Sequence, residues 1–426
     1  MMPTIAPPSV LSAPQRRCHI LLTLFQPGLV TTTETLSKLN GVDVEIVSKD
    51  LNETSREIAG YHQLTIKTAH NGGFRIEGTE LNQRLCLLHW LRRGLRLCPA
   101  FINEQFTPAL KNALKQCGID RTLYDDTNLR ALINLCARRL NMQFGDRDMQ
   151  FLQLFWQYCL LNHHAGQTPD FTPLQQQWMQ SCAAWPFALE LSRFLHRRAM
   201  RNVPREESLF IALLFTLLRV PDPRRDNHPW DWQMRNAISR LVLIFRQKGN
   251  VQFRDEQGLH DQLYVHLAQA LHRSLFSIGI DNTLPDGFCH LYPRLMRTTQ
   301  EALTEFANEY DLQFSEEETG LVAVIFGAWL MQENDLHEKQ ILMLTDNDTE
   351  REACIEQQLR ELTLLPLNIR HMPVKNFLVQ GAPRNVALIV TPYTTTLPLF
   401  SPPLIYADQT LTPHQQQQIR KIVESG

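Results

Sequence analysis

Apolar residues near the N-terminus recur at helical spacing in three short segments. The first runs from Arg17 to Phe25 and ends at Gln26-Pro27-Gly28, because proline and glycine both interrupt helices. Hydroxyl residues at 31–33 then favour the start of a second helix. A third helix is predicted from about Val44 to Ala59, where apolar residues again keep helical spacing.

Two segments after these helices alternate between apolar and polar side chains, as half-buried strands do. They are residues 64–67 and 73–76, and they flank Asn71-Gly72. Asn-Gly between alternating segments is the strongest short-range signal for a hairpin. Three helices followed by a hairpin predict a winged helix-turn-helix over residues 15–80.

Two long helical blocks come next. From Leu81 to about Leu218, apolar residues recur at three- and four-residue intervals, and a second such block extends from Trp232 to about Leu336. The segment 220–229 between them is rich in proline and charge, which is typical of a linker. We therefore expect a helical connector with a first helical domain over residues 81–220 and a second helical domain over 230–336.

The two blocks share an internal pattern. Glu206-Glu207 precede an apolar helix at 209–218, and Glu316–Glu318 precede another at 321–330. Because the pattern repeats after roughly 110 residues, longer than the period of a solenoid, it predicts a duplicated helical domain.

The last ninety residues change to alternating strands and helices. We predict strands at 341–344, 367–370, 386–390 and 402–406, and helices at 350–362 and 413–423. This alternation indicates a small parallel α/β domain over residues 338–426. The whole chain is then a mainly α, multidomain protein.

Composition narrows the class of protein. The 426 residues carry a formal net charge of −2, which gives no general attraction to nucleic acid or to an anionic membrane. The nine cysteines stand singly without a CxxC pair, which favours free thiols, most of them packed in cores, in a reducing compartment. Without an export signal or a run of about 20 apolar residues, we expect a cytoplasmic protein with no membrane partner. No cofactor, metal site or catalytic constellation is indicated.

Several segments resemble transcription regulators that carry phosphotransferase-system regulation domains (PRDs). Residues 33–51 are similar to the helix-turn-helix of that family, and residues 73–80 to its wing. Residues 263–284 resemble the PRD motif of His-Leu, an arginine seven residues after the histidine, Gly-Ile and Asn-x-Leu. His-Leu-Tyr-Pro at 290–293 and the segment 318–327 also fit. The C-terminal domain is similar to the phosphotransferase IIB-like domains that end many such regulators.

The resemblance implies a homodimer that binds DNA and is switched when sugar-phosphotransferase proteins phosphorylate PRD histidines. Such a switch requires an accessible imidazole and works through the added negative charge. His266 occupies the first acceptor position of the second PRD and is the phosphorylation candidate. Arg273, two helical turns further on, is the expected partner of the phosphate. The alternative is that His266 is only a packed helix residue.

The other three acceptor positions depart from the family pattern. Ile325 stands at the second position of the second PRD, Leu214 at the corresponding position of the first, and Phe155-Trp156-Gln157 replaces the His-Leu pair. None of these side chains can accept a phosphoryl group. Three other histidines stand near these positions but outside the motif, and we interpret them as surface or amphipathic-face residues: His163, His164 and His196. The phosphorylation sites are therefore expected to be largely degenerate.

The C-terminal domain lacks the chemistry of a phosphotransferase enzyme. A IIB domain needs a cysteine directly after its first strand, in a loop whose backbone amides hold phosphate. Residues 345–350 contain neither cysteine nor glycine, and the carboxylates of Asp346, Asp348 and Glu350 would repel phosphate. Cys354 falls in the following helix and is interpreted as a packed thiol. We therefore expect that the protein is not an enzyme.

The N-terminal module has few cations for a DNA-binding module. Residues 1–80 contain seven Lys and Arg against eight Asp and Glu, and five of these carboxylates lie between 43 and 57. Because phosphate neutralisation supplies most non-specific affinity, any DNA binding should be weak and salt-dependent. A stripe of candidate DNA contacts consists of Lys38, Lys49, Arg56, Lys67 and Arg75.

Two functions remain open from the sequence. The first is a PRD-containing transcription regulator that binds DNA through its N-terminal module. The second is a PRD protein that no longer binds DNA and acts through protein–protein contacts or heterodimerisation.

Overall fold

The computed structural model describes residues 10–199, 203–279, 284–285, 287–334, 339–364 and 367–424. Asn282 of the predicted PRD motif lies outside these ranges. The chain divides into two compact units, residues 1–220 with 275–279, and residues 221–274 with 280–426. The described residues are mostly helical, and they include a small parallel sheet near the C-terminus.

The first unit begins with three helices and an antiparallel hairpin, as predicted. The elements are α1 (Ala13–Leu24), α2 (Thr33–Asn40), α3 (Val44–His62), β1 (Thr65–Thr68) and β2 (Phe74–Glu77). Ile20, Leu36 and Val47 form a buried core between the helices, and Phe74 of β2 packs against it. The hairpin turn falls at Asn71-Gly72, with Gly72 at a φ of +75°.

The helix boundaries differ from those predicted. Helix α1 starts four residues before Arg17, because Ser12 and Gln15 form a reciprocal capping box and Pro14 fits the first turn. Helix α3 continues beyond Ala59 to His62, and Gln63 ends it in the left-handed conformation.

The remainder of the first unit is helical. Its helices are α4 (Glu80–Leu97), α5 (Pro99–Phe101), α6 (Thr107–Gln116), α7 (Asp126–Arg139), α8 (Asp146–His164), α9 (Pro173–Ser181), α10 (Trp185–Ala199) and α11 (Arg205–Leu218). One turn of π-helix, Ile102–Phe106, joins α5 to α6. Leu191 of α10 and Ile211 and Phe215 of α11 share a buried core, which Trp156 of α8 extends.

The second unit has a similar helical part. Its helices are α12 (Pro229–Gly249), α13 (Glu256–Leu275), α14 (Phe288–Leu291), α15 (Pro293–Asn308) and α16 (Glu316–Asn334). Phe245 of α12 stacks on Phe326 of α16 with ring centroids 3.8 Å apart. None of the described helices in either unit is both long and apolar enough to cross a membrane.

The C-terminal part is a four-stranded parallel sheet with helices on both faces. Its elements are β3 (Lys339–Thr345), α17 (Thr349–Arg360), β4 (Leu367–Pro373), α18 (Val374–Gln380), β5 (Val386–Thr391), β6 (Leu404–Tyr406) and α19 (Pro413–Glu424). The strand order is β4-β3-β5-β6. Helices α17 and α19 contribute Ile355 and Ile419 to the core on one face, and α18 contributes Phe377 to the other. The predicted parallel sheet is confirmed, and α18 was not predicted.

Candidate functional site

A buried carboxylate in the second unit brings His266 and Arg273 together. Nε2 of His266 lies 3.4 Å from Glu318 Oε2, and the Glu318 side chain is only 4% exposed. Arg273 donates two hydrogen bonds to the same carboxylate, from Nε at 2.5 Å and from Nη2 at 3.1 Å. The imidazole is mostly enclosed, and Nε2 is buried without a hydrogen-bond partner of good geometry. Arg273, expected to be available for phosphate, is therefore already bound to Glu318.

The position of Glu318 explains why this carboxyl stays ionised. Burial raises the pKa of Glu318, but its contacts with His266 and Arg273 outweigh burial and hold the pKa below its ordinary value. Glu318 is thus a negative charge in the folded protein at neutral pH, and it links α13 to α16.

An equivalent cluster in the first unit is organised by Glu207 of α11. Arg84 of α4 is fully buried and donates to both carboxylate oxygens, from Nη1 at 2.7 Å and from Nη2 at 2.8 Å. Nδ1 of His163 lies 3.4 Å from the same carboxylate. Burial raises the pKa of Glu207, but the contacts with His163 and Arg84 outweigh it, so the pKa lies below its ordinary value.

We expected His163 to be a surface or amphipathic-face residue, and it does not lie on the open surface. It is three-quarters buried and faces Glu207. Sequence reasoning also missed Arg84, which precedes the first PRD and reaches a carboxylate 123 residues away. The buried guanidinium also lies 4.9 Å from the centre of the Phe210 ring. It holds α4 against α11.

The two clusters are related by the internal repeat. Glu207 lies 111 residues before Glu318, and His163 lies 110 residues before Arg273. With the same offset of 110 residues, Trp156 of the first repeat corresponds to His266 of the second. In the first cluster, tryptophan thus stands at the position of His266, histidine stands at the position of Arg273, and Arg84 supplies the guanidinium.

The two second-position residues are apolar and buried. Leu214 is 2% exposed in α11, and Ile325 is 8% exposed in α16. Each lies in the helix that begins with the buried glutamate of its own cluster. These positions contribute packing surface rather than a nucleophile.

In the C-terminal domain, the loop after β3 is closed by a carboxylate from its own helix. Oε1 of Glu352, a buried residue of α17, accepts hydrogen bonds from the Asp346 backbone N–H and the Tyr393 hydroxyl, each at 2.7 Å. The Tyr393 hydroxyl also accepts from the Asp348 N–H at 3.1 Å. These amides, which a phosphate-binding loop would turn toward its anion, therefore bind protein oxygens.

Two expectations about cysteines were wrong. Cys354 is exposed, not packed, because its position on α17 faces away from the sheet. All nine cysteines are free thiols, but only four are buried: Cys18, Cys86, Cys98 and Cys136.

The acidic residues of α3 are placed in two ways. Asp50 is buried and bound to Arg16 of α1, with Nε at 2.6 Å, and Glu57 accepts from Arg93 of α4 at 2.8 Å. These two carboxylates are used inside the fold. Asp43 and Glu45 at the start of the helix remain exposed.

The five candidate DNA contacts are all exposed, and three of them form ion pairs. Arg56 pairs with Glu53 at 3.0 Å. In the hairpin, Lys67 and Arg75 both reach Glu77, at 2.8 and 2.5 Å. Lys38 lies in the last turn of α2, and Lys49 lies on α3.

Comparison with known proteins places these features in a family. The PRD domain model matches residues 130–217 and 239–329, and the model of the stationary phase-inducible protein CsiE C-terminal domain matches residues 339–423. Over all 426 residues, the chain is 68% identical to the stationary phase-inducible protein CsiE of Escherichia coli (strain K12), with 100% of both proteins covered. It is 21% identical over 337 residues to the transcriptional regulator ManR of Bacillus subtilis (strain 168), covering 77% of this chain and 49% of the relative. The resemblance to PRD regulators is thereby confirmed.

Proposed function

The chain belongs to the CsiE family and carries two PRD domains, and from this premise we propose that it is a transcription regulator that binds DNA through residues 15–80. The likeness to a relative named as a transcriptional regulator supports this class of function. The domains we propose are the winged helix-turn-helix at 15–80, a connector with the first PRD at 81–220, the second PRD at 230–336, and the C-terminal α/β domain at 338–426.

The observation that carries the proposal is the arrangement of α1 to β2 around one core. Helix α2 ends at Gly41 in the left-handed conformation, which turns the chain directly into α3. We assign α2 and α3 to the helix-turn-helix, α3 to the major groove, and the hairpin to the wing. Val44 and Ile46 are 50% and 40% exposed on α3, where apolar side chains can meet thymine methyl groups.

The placement of charge makes this module a weak but usable DNA-binding surface. Asp50 and Glu57 form ion pairs with Arg16 and Arg93. Their negative charges therefore repel the DNA phosphates less than those of unpaired carboxylates would. Lys38 and Lys49 are exposed near the proposed groove contact. Each phosphate neutralised contributes about −0.9 to the slope of log K against log salt, so two to five cations predict a slope of roughly −2 to −5.

Titration of fluorescently labelled duplex DNA at several salt concentrations tests this function. The proposal expects weak binding whose affinity falls steeply as salt rises. Tight binding that is insensitive to salt would contradict the assignment of the surface, and absence of binding at low salt would contradict DNA binding itself.

A second function is a PRD protein that works through protein contacts alone, and ion pairs in the hairpin and on α3 favour it. Lys67 and Arg75 share Glu77, and Arg56 binds Glu53, so three of the five candidate cations must leave a carboxylate before they reach DNA. An intact PRD regulator is the partner this alternative implies. Failure to bind DNA at low salt, with the fold intact, would favour it.

We propose that His266 is the residue through which phosphotransferase-system proteins act, and that the switch is weak. A phosphate on the imidazole would add about −1.5 to −2 charges next to the ionised Glu318. Arg273 would have to divide its donors between the carboxylate and the phosphate. The coupling is then a small free energy, roughly 1–3 kcal/mol.

Other parts of the proposal follow from the family and the fold. We propose a cytoplasmic homodimer formed through the PRDs, as the family resemblance implies. We also propose that the protein is not an enzyme, since the amides of Asp346 and Asp348 in the C-terminal domain bind protein oxygens in place of an anion.

A further inference from the structure

A cavity of about 280 Å³ lies between the first PRD and residues 118–123 of the preceding connector, at the place where the repeat would put a phosphorylation site. Trp156 and Leu214, which replace the two acceptor positions, both line it, and so does Glu207 of the buried cluster. Its remaining wall is mostly apolar and includes Phe155, Leu160, Leu195, Phe210 and Ile211.

We propose that this cavity binds a small, uncharged or cationic aromatic molecule, and that the first PRD thus responds to a ligand instead of a phosphoryl group. This inference concerns the first PRD alone and does not depend on DNA binding by residues 15–80. The repeat supports it, because the exchange of His266 for Trp156 removes a nucleophile and adds an apolar wall at the same position.

The volume sets the size of the ligand. An apolar cavity of about 150 Å³ is large enough for benzene, so the larger cavity accommodates a two- or three-ring molecule. Ligand sites of this kind combine apolar walls with a small number of polar groups that orient the ligand. Here those groups include His163 and Glu207, which face each other across 3.4 Å. A carboxylate oxygen and an imidazole nitrogen both accept hydrogen bonds, and this favours a ligand with one N–H or O–H donor.

The charged side chains that line the cavity disfavour an anionic ligand. The cavity lining contains the carboxylates of Asp120 and Glu207, the imidazoles of His163 and His164, and neither lysine nor arginine. Arg84 lies behind Glu207 and is already bound to Glu207 and Glu80, each at 2.7 Å. A carboxylate or sugar phosphate entering the cavity would therefore lose its hydration next to two carboxylates without gaining an ammonium or guanidinium partner.

Two fluorescent probes with a common skeleton test the class of ligand in the full-length protein. N-phenyl-1-naphthylamine is neutral and carries one N–H donor, and 8-anilinonaphthalene-1-sulfonate adds a sulfonate to the same rings. We expect saturable one-to-one binding of the neutral probe, and at least tenfold weaker binding of the sulfonate. Lack of saturable binding of the neutral probe, or equal affinity for both probes, would overturn the proposal.

Substitutions that fill the cavity test its location. Leu160→Trp in α8 and Leu195→Trp in α10 enlarge half-buried side chains of the lining, and Leu243→Trp on the exposed face of α12 is the matched control. Each filling variant should weaken the neutral probe at least tenfold, whereas the control should bind as the wild type does. Circular dichroism melting verifies folding, and a filling variant that does not fold leaves the other to decide. Wild-type affinity in a folded filling variant would show that the probe binds elsewhere.

Discussion

At the scale of single residues, each PRD contains one buried carboxylate bound by an arginine, Glu207 in the first and Glu318 in the second. The sequence pointed to His266 and Arg273 because both belong to one helix and their seven-residue spacing places them on one face. It could not point to Arg84, since no local spacing relates residues 123 positions apart. The sequence could have indicated a role for His163, because it lies 110 residues before Arg273, which is the period of the internal repeat.

Glu207→Gln should destabilise the first unit. Removing the charge leaves the fully buried Arg84 with one carboxylate, Glu80, and the Gln167 carbonyl, and breaking a buried ion pair costs about 3–5 kcal/mol. Glu309→Gln is the matched control, because Glu309 pairs with the half-exposed Arg240, and such surface pairs contribute at most about 1 kcal/mol. Urea denaturation followed by circular dichroism measures both. Equal losses in the two variants would show that the cluster does not stabilise the unit.

The same carboxylates predict how stability depends on pH. The folded-state pKa values of Glu207 and Glu318 lie below the ordinary 4.5, so unfolded chains take up protons first as the pH falls. The stabilisation is fully present above that ordinary pKa and is lost as the pH falls through the depressed folded values. We expect the denaturation midpoint to drop between about pH 5 and pH 3, and to drop less in a Glu207→Gln, Glu318→Gln double variant. An equally steep acid response in the double variant would contradict this account.

His266 should be the residue that accepts phosphate from the phosphotransferase system. Incubation with the purified phosphotransferase proteins and labelled phosphoenolpyruvate should label the wild type, and His266→Ala should abolish the label. His163→Ala is the control and should keep it, because His163 stands outside the acceptor positions of the family motif. Label that persists in His266→Ala would place the phosphate on another residue.

At the scale of elements, patterns of apolar spacing located the three N-terminal helices, the two helical blocks and the C-terminal strands, because each element buries one continuous face. They did not divide the helical blocks into all of their individual helices. Helix α18 was missed because it has only seven residues and follows β4 without a loop, so no polar break marks its start. The exposure of Cys354 was missed for a related reason. Which side of α17 faces the sheet is decided by tertiary packing, which the local sequence does not show.

Helix α3 is the element whose charge should decide DNA affinity. Lys49→Ala should weaken binding to all duplex sequences alike and reduce the salt slope by about 1, because a phosphate contact carries no sequence information. Lys375→Ala removes an exposed lysine of α18 and is the matched control. Anisotropy titrations at several salt concentrations supply both quantities. A loss confined to particular sequences would instead indicate base recognition by Lys49.

At the scale of the whole molecule, the protein contains two PRDs whose residues around the buried glutamate differ. The second copy has His266 beside its buried glutamate, and the first has a tryptophan-lined cavity in the same place. The duplication was visible in the sequence as two acidic runs before apolar helices. The divergence became visible only when the clusters around Glu207 and Glu318 could be compared residue by residue.

Genome-wide DNA crosslinking of the tagged, full-length protein tests the central proposal most directly. If residues 15–80 bind DNA, discrete genomic sites will be enriched over an untagged strain. A Lys38→Ala, Lys49→Ala double variant of equal abundance and melting temperature will lose that enrichment, because both exposed lysines lie on α2 and α3. Enrichment no greater than in the untagged strain, or enrichment that survives in the double variant, would contradict the account.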